Sequence, residues 1–242
     1  MKNEGSDKKS VKNEGTEFED LADIAQYYRK NGESGRLQTQ QLEFAITKKV
    51  LDSYLKSPQN VLELGAGSGR YTQYLLEAGH KVTALDLTEE LIDENRRRVS
   101  EFGSQVSFVV GDAREVRSLV PEKFDAILVM GPLYHLVKSD DRHKLMKDIE
   151  MLLSPNGKIF SSFLTRMGLM SYQLALFPEW LERVPEQAKE MMQSGFVKDH
   201  PRNGMFRGYF SSFEDVRSLH NVADLELEAL HVTDPCIGAF DE

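Results

Sequence analysis

From residue 58 to 165 the chain alternates short apolar runs with amphipathic stretches, the pattern of a strand followed by a helix, several times over. It predicts strands at 60–64, 81–86, 106–110, 124–130 and 158–165, with helices at 71–78, 88–101, 113–119 and 139–153. The first helix is expected to turn Tyr71, Tyr74, Leu75 and Ala78 to the core. The second opens on Glu89 and Glu90, which suit the positive end of a helix dipole, and Thr88 stands where it can cap it. Ser154, Pro155, Asn156 and Gly157 are turn residues that launch the fifth strand. Strands spaced by helices build a parallel sheet covered on both faces, so the fold class is α/β.

The flanks behave differently. Residues 1–16 carry charges of both signs with hardly an apolar side chain and are expected to form a disordered tail without a signal-peptide core. Residues 17–57 are expected to form a helical cap. One helix covers 18–30 and stops at Asn31 and Gly32; in a second, Leu42, Ile46, Val50 and Tyr54 recur every fourth position along one face. The segment 166–210 departs from the strand-helix rhythm and is crowded with methionine and aromatic residues, so it is expected to be a helical insertion after the fifth strand. Ser211 with Glu214 matches a capping box for a helix over 212–222, and 225–232 is expected to be a sixth strand. Residues 58–242 thus count as one domain.

Charge and cysteine content narrow the partners. Acidic side chains outnumber basic ones 39 to 30, for a formal charge of −9, opposite in sign to what a phosphate backbone attracts. A small, uncharged or cationic partner is expected, and no nucleic acid. Cys236 is the single cysteine, which leaves no intrachain disulfide and no cysteine cluster for zinc. A reducing, cytoplasmic location is the expectation. No stretch approaches the roughly 18–20 uninterrupted apolar residues of a membrane span, so no membrane partner is expected. Asp140 and Asp141 stand where helix-start acids belong, and no metal is assigned. Nothing in the sequence specifies an oligomeric state.

The chemistry concentrates where the first strand turns into the first helix. Val61-Leu62-Glu63-Leu64-Gly65-Ala66-Gly67-Ser68-Gly69 sets glycines at alternate positions, where a backbone free of side chains can take positive φ and approach a ligand. A dinucleotide motif places its third glycine where this chain has Arg70. Asp86 closes the second strand, where a carboxylate can accept both hydroxyls of a ribose; with Thr88 available as the cap, Asp86 is expected to be spared that job. Gly111 and Asp112 end the third strand. Asp112 reads equally as an acceptor for an exocyclic amine or as a turn aspartate.

Glu63 to Gly69, then Asp86, then Gly111-Asp112-Ala113, then Phe124-Asp125-Ala126-Ile127-Leu128, resemble in order the motifs of the class I S-adenosylmethionine (SAM) dependent methyltransferases. Met130-Gly131-Pro132-Leu133-Tyr134-His135-Leu136 is similar to the segment after the fourth strand in a bacterial branch of that superfamily that acts on small molecules. The resemblance implies a Rossmann-like three-layer sandwich with a mostly parallel twisted sheet, N-terminal helices and SAM as cofactor. It implies that Gly65, Ala66, Gly67 and Gly69 line the methionine half of SAM, with Glu63 reaching its ammonium directly or through water and Met130 offering a carbonyl. Asp86 would hold the ribose, Leu87 would lie against the adenine, and Asp112 with the amide of Ala113 would read the adenine edge. Tyr28 and Arg36 fall in a segment that folds over the cofactor in similar enzymes, Arg36 pairing with the carboxylate.

The expected reaction is in-line transfer of a methyl group to a small-molecule acceptor. His135 is the candidate general base, with a structural hydrogen bond as its other reading, and Tyr134 is a candidate for packing on the sulfonium or substrate. The insertion 166–210 would form a substrate lid, with Arg207 and Tyr209 as polar contacts. Two alternatives stand beside this one: a non-catalytic SAM-binding module, and a nicotinamide-dependent oxidoreductase, against which Arg70 counts. A complete class I sheet has a seventh, antiparallel strand; with the sequence ending at Glu242, that strand is expected to be missing.

Overall fold

Three of the five expected strands form over the residues that the apolar runs mark: β1 Asn60–Leu64, β2 Lys81–Asp86 and β3 Val106–Val110. β4 spans Phe124–Val129 and β5 Leu153–Ser161. The computed structural model describes residues 24, 41–56, 58–196 and 208–233. The expected tail over 1–16, the helix over 18–30 apart from Ile24, and Tyr28, Arg36, Arg207 and Cys236 lie outside the described residues.

All five strands are parallel, in the order β3-β2-β1-β4-β5. β1, β2 and β4 are buried almost throughout, whereas β3 and β5, at the edges, are mostly half-buried. That is why the central strands read as continuous apolar runs: each side chain meets a helix whichever way it points. Leu62, Leu64, Ile127 and Val129 face one layer, against Leu145, Met146 and Ile149 of α6 (Ser139–Leu152) and Leu219 of α10 (Phe213–Asn221). Their neighbours Val61, Ala126 and Leu128 face the other, against Leu51 of α1 (Gln41–Tyr54) and Leu75 and Leu76 of α2 (Arg70–Glu77). Period-two alternation thus sorts the sheet into a three-layer sandwich. The remaining helices are α3 (Glu89–Arg98), α4 (Val116–Leu119), α5 (Pro132–His135), α7 (Arg166–Leu176), α8 (Trp180–Arg183) and α9 (Pro185–Ser194).

Several expectations need correction, but not the face of α1: Leu42, Val50 and Tyr54 share one side of the helix, Thr47 and Leu51 are its buried residues, and Leu42 is 55% exposed. The helix seats through Leu51 and Phe44, whose ring lies 5.1 Å from Tyr71, and this turns Leu42, Val50 and Tyr54 to the wall of a cleft. In α2, Thr72 and Leu76 are buried while Ala78 is exposed beyond its end. Thr88 makes no side-chain cap; Asp86 accepts its N–H instead, at 2.9 Å. The capping box of α10 is Ser212 with Asp215, one residue beyond the expected pair, because Ser211 is drawn into a parallel bridge with Thr165.

β5 begins straight after α6, earlier than expected. Phe124 pairs with Leu153 and Ala126 with Lys158, so the chain between Leu153 and Lys158 bulges out, with Asn156 at φ +63°; the turn residues make a bulge within the strand. Residues 225–232 form no strand. Alternation of apolar and polar residues needs a neighbouring edge to supply ladder hydrogen bonds. The links the structure gives from this segment to β5 are the ion pair of Glu228 with Lys158 and the packing of Leu225 on the core. No helix among the described residues is long and apolar enough to cross a membrane.

His80, 3% exposed, ties the turn before β2 to the one before β1: its Nδ1 accepts the N–H of Gln59 at 3.1 Å. Burial holds its pKa below the ordinary 6.5. The folded state therefore takes up a proton less readily than the unfolded chain, and the stability due to neutral His80 is lost as pH falls through 6.5 and below. Urea midpoints are expected to drop between pH 7.5 and 5.5, and His80→Gln to flatten that part of the profile.

Candidate active site

β1 lies between β2 and β4, so the chain leaves the centre of the sheet in opposite directions and opens a crevice at the carboxyl ends of the strands. The two loops bordering it meet closely. A Cβ on Gly65 would lie 2.8 Å from Pro132 Cδ and 3.3 Å from the Gly131 Cα, and Met130 N–H donates to the Leu64 carbonyl at 3.2 Å. Gly65 (φ +76°), Gly67 (φ +53°) and Gly69 (φ +90°) all take the left-handed conformation that side chains resist. Above them lies a cavity of about 1800 Å³.

Of the expected cofactor residues, Gly65, Ala66, Gly67, Asp86, Leu87, Asp112, Ala113 and Met130 share the cavity wall with Tyr134 and His135. Gly69 and Glu63 do not reach it. Gly69 starts α2, and a Cβ there would run into the Asn95 side-chain amide. Glu63 is 1% exposed and lies beneath the loop, where its Oε2 accepts from Thr72 Oγ1 at 2.6 Å and Thr72 in turn accepts from Asn95 Nδ2 at 2.8 Å. Burial pushes the Glu63 carboxyl up to about 8, the Thr72 hydrogen bond works against this, and the charge of Asp86 adds to the rise. Glu63 therefore braces β1, α2 and α3 from below; direct contact with a ligand in the cavity is not open to it in this arrangement.

Asp86 is 8% exposed and clamps the loop: one carboxylate oxygen accepts Gly67 N–H and the other Thr88 N–H, both at 2.9 Å. Asp112 accepts the N–H of Arg114 at 2.9 Å, and the Arg114 guanidinium pairs with it at 2.6 Å and with Asp141 at 3.4 Å. The turn reading of Asp112 thus holds, and Asp141 belongs to an ion-pair network linking β3's loop to α6. Met130 gives its carbonyl to the Tyr134 hydroxyl at 3.1 Å. The expected loop after β4 coils into α5, which sets the Tyr134 and His135 rings 4.8 Å apart.

The signals that sequence reasoning missed are long-range. Arg70, read only as a mark against dinucleotide binding, lies on the wall with its guanidinium 4.0 Å from the Phe44 ring centre and one buried nitrogen, Nη1, without a hydrogen-bond partner among the described residues. Arg166 fastens the start of the helical excursion to its end. It donates to the carbonyls of Phe210, Met192 and Gln193 at 3.0 to 3.3 Å and pairs with Asp215 at 2.6 Å. Tyr209 donates its N–H to the Tyr134 carbonyl at 2.8 Å, and the Arg142 guanidinium stacks 3.6 Å from its ring centre. No local pattern announces contacts between residues so far apart.

Because Glu63 is raised from 4.5 to about 8, its protonated form favours the fold; that contribution is complete below pH 4.5 and is lost as pH rises toward 8. Glu63→Gln keeps the acceptor for Thr72 and has no charge to bury. Its thermal midpoint is expected to exceed that of the parent above pH 7, by a margin that widens toward pH 8, and to converge with it near pH 4.5.

The family described as "Methyltransferase domain" matches residues 61–157, from β1 to the bulge of β5. A ubiquinone biosynthesis O-methyltransferase of Xanthomonas euvesicatoria is 28% identical over 178 residues, 74% of this chain and 71% of that one. Its counterpart in Xanthomonas axonopodis is 33% identical over 159 residues, 66% of this chain and 65% of that one. Among solved structures, the 1,6-didemethyltoxoflavin N1-methyltransferase of Burkholderia thailandensis, with its substrate and S-adenosylhomocysteine bound, is 32% identical with a TM-score of 0.53 and covers 61% of this chain and 64% of that one. A protein of Pyrococcus horikoshii, 21% identical over 81% of this chain and 88% of its own, shares the fold with a TM-score of 0.56. The chain spans about two thirds of the length of the curated relatives described, from 65% to 71%. With the glycine loop, the strand order and these relatives in agreement, the chain belongs to the class I S-adenosylmethionine-dependent methyltransferases.

Proposed function

We propose that the chain transfers the methyl group of SAM to a small-molecule acceptor by in-line displacement. The observation that carries this is one crevice whose wall holds the left-handed Gly65 and Gly67, Asp86, and the Tyr134-His135 pair together. The residues fit SAM. Asp86, held by the Gly67 and Thr88 N–H groups, presents its carboxylate at the cavity wall, where it suits the hydroxyls of a ribose. The buried Arg70 Nη1 offers a hydrogen bond to the methionine carboxylate, the role that sequence alone gave to Arg36. Leu87 and the Ala113 amide border the place for the adenine, and Asp112, fixed by Arg114, shapes that border.

When bound, SAM supplies a methyl carbon already activated by positive sulfur. What this chain contributes is alignment and exclusion of water, which in favourable cases is worth roughly 7–11 kcal/mol of barrier. α5 holds Tyr134 by both ends, its hydroxyl on Met130 and its carbonyl on Tyr209, so its ring is a fixed wall for the transfer. His135, half-buried beside it on the cavity wall, is placed to take the proton that an oxygen or nitrogen acceptor releases.

Calorimetry with SAM tests the assignment. Asp86→Asn is expected to weaken SAM binding by about 1.5–3 kcal/mol, since it removes the charge from the ribose hydrogen bonds. Unchanged affinity would remove the ribose role. His135→Ala is expected to lower turnover and spare SAM affinity; lost affinity with intact turnover would make its role structural.

A further inference from the structure

The cavity is larger than one ligand needs: about 1800 Å³, against roughly 300–1,000 Å³ for a typical small-molecule site. Its half beyond Tyr134 has a different chemistry from the cofactor half. There the wall is made by the carboxyl end of β5, the first turns of α7 and one face of α10, and carries Phe163, Met167, Leu169, Tyr172, Phe213 and Val216. Met167, Tyr172 and Phe213 remain 65%, 51% and 52% exposed, so apolar surface faces this space without cover from the described residues.

Three cations stand on the cavity wall among the described residues: Arg70, Lys158 and Arg166. Arg70 lies in the cofactor half, beside Phe44. Lys158 is paired with Glu228. Arg166 spends Nε on the Phe210 carbonyl, Nη1 on those of Met192 and Gln193, and Nη2 on Asp215 and the Tyr209 hydroxyl. Among the described residues an anionic acceptor would find no uncommitted cation here to replace the water it loses, at a cost that apolar contact does not offset. Two hydroxyls here, by contrast, are left without hydrogen bonds among the described residues: Ser161 Oγ and Ser162 Oγ, buried at the end of β5, on residues that line the same cavity. A buried hydroxyl in that state gains from any ligand that brings a donor or acceptor.

We infer that the methyl acceptor is a ring-bearing, mainly apolar molecule without negative charge, with a hydrogen-bonding group, seated between β5, α7 and α10 with that group on Ser161 or Ser162. This rests on the methyltransferase reading, and the experiment separates the two. Protein saturated with S-adenosylhomocysteine, its binding followed by calorimetry, is titrated with the fluorescent neutral probe N-phenyl-1-naphthylamine. The probe is then displaced by 1-naphthalenemethanol, 1-methylnaphthalene, 1-naphthoate or cationic 1-naphthylmethylamine.

The neutral alcohol is expected to bind at least tenfold more tightly than the carboxylate. Leu169→Asp, and Met167→Asp at a more exposed position of the same wall, are expected to weaken the probe at least tenfold and leave S-adenosylhomocysteine affinity unchanged. Replacing Ser161 and Ser162 together by Ala is expected to weaken the alcohol about threefold to tenfold and leave 1-methylnaphthalene unaffected. Binding of the carboxylate as tight as or tighter than that of the alcohol or the ammonium, failure of the probe to bind, or its indifference to both α7 variants would overturn the inference. Failure of S-adenosylhomocysteine itself to bind would instead overturn the methyltransferase reading.

Discussion

The site depends on how closely two backbones can approach at the centre of the sheet. Gly65 after β1 and Gly131 after β4 face each other so tightly that a single Cβ on Gly65 would strike the Pro132 ring. Parallel neighbours bring their carboxyl ends to the same rim, and the reversal of strand order between β2 and β4 leaves no crossover helix to fill the space above. A crevice follows from topology; its depth follows from glycine. A side chain at Gly65 would push the β1 and β4 loops apart, and with them the wall that carries Asp86 on one side and Tyr134 on the other.

Polar groups beneath the loop hold this approach in place. Asp86 binds two backbone N–H groups, and the buried line Asn95-Thr72-Glu63 ties α3 and α2 to β1. All three members of that line are 1% exposed or less, so each hydrogen bond is made where losing it would leave a polar group dry. The raised pKa of Glu63 is the cost of enclosing a carboxyl there. The acid at the end of β1 is part of the scaffold beneath the loop, while Asp86 combines scaffold and wall.

Local pattern revealed what local physics decides. The three central strands, buried on both sides, spell themselves as apolar runs, and β1 and β2 form over the expected residues; alternate glycines marked the loop because only backbone conformation was at stake. The apolar line of α1 was legible as a face, but spacing alone does not say that it serves the cleft and not the core. The sixth strand failed for a related reason: 225–232 alternates correctly, but a strand exists only where an edge receives it. Arg114 on Asp112 and Asp141, Arg70 on Phe44, and Arg166 on Asp215 are set by tertiary placement, and spacing along the chain carries no trace of them.

Arg166 has the wider consequence. The chain leaves the sheet region at Thr165 and returns at Ser211, where those two residues bridge, and Arg166 locks departure to return through carbonyls at the end of α9 and the carboxylate of α10. The excursion is therefore anchored at its root whatever its outer helices do, and Tyr209 passes the anchor on to Tyr134 at the place of transfer. An arginine saturated in this way cannot also recognise an anion. The residue that fixes the geometry of the second half of the cavity thereby also sets its electrostatic character, and changing which acceptors are admitted requires altering the apolar wall of α7 and α10 while leaving the clamp alone.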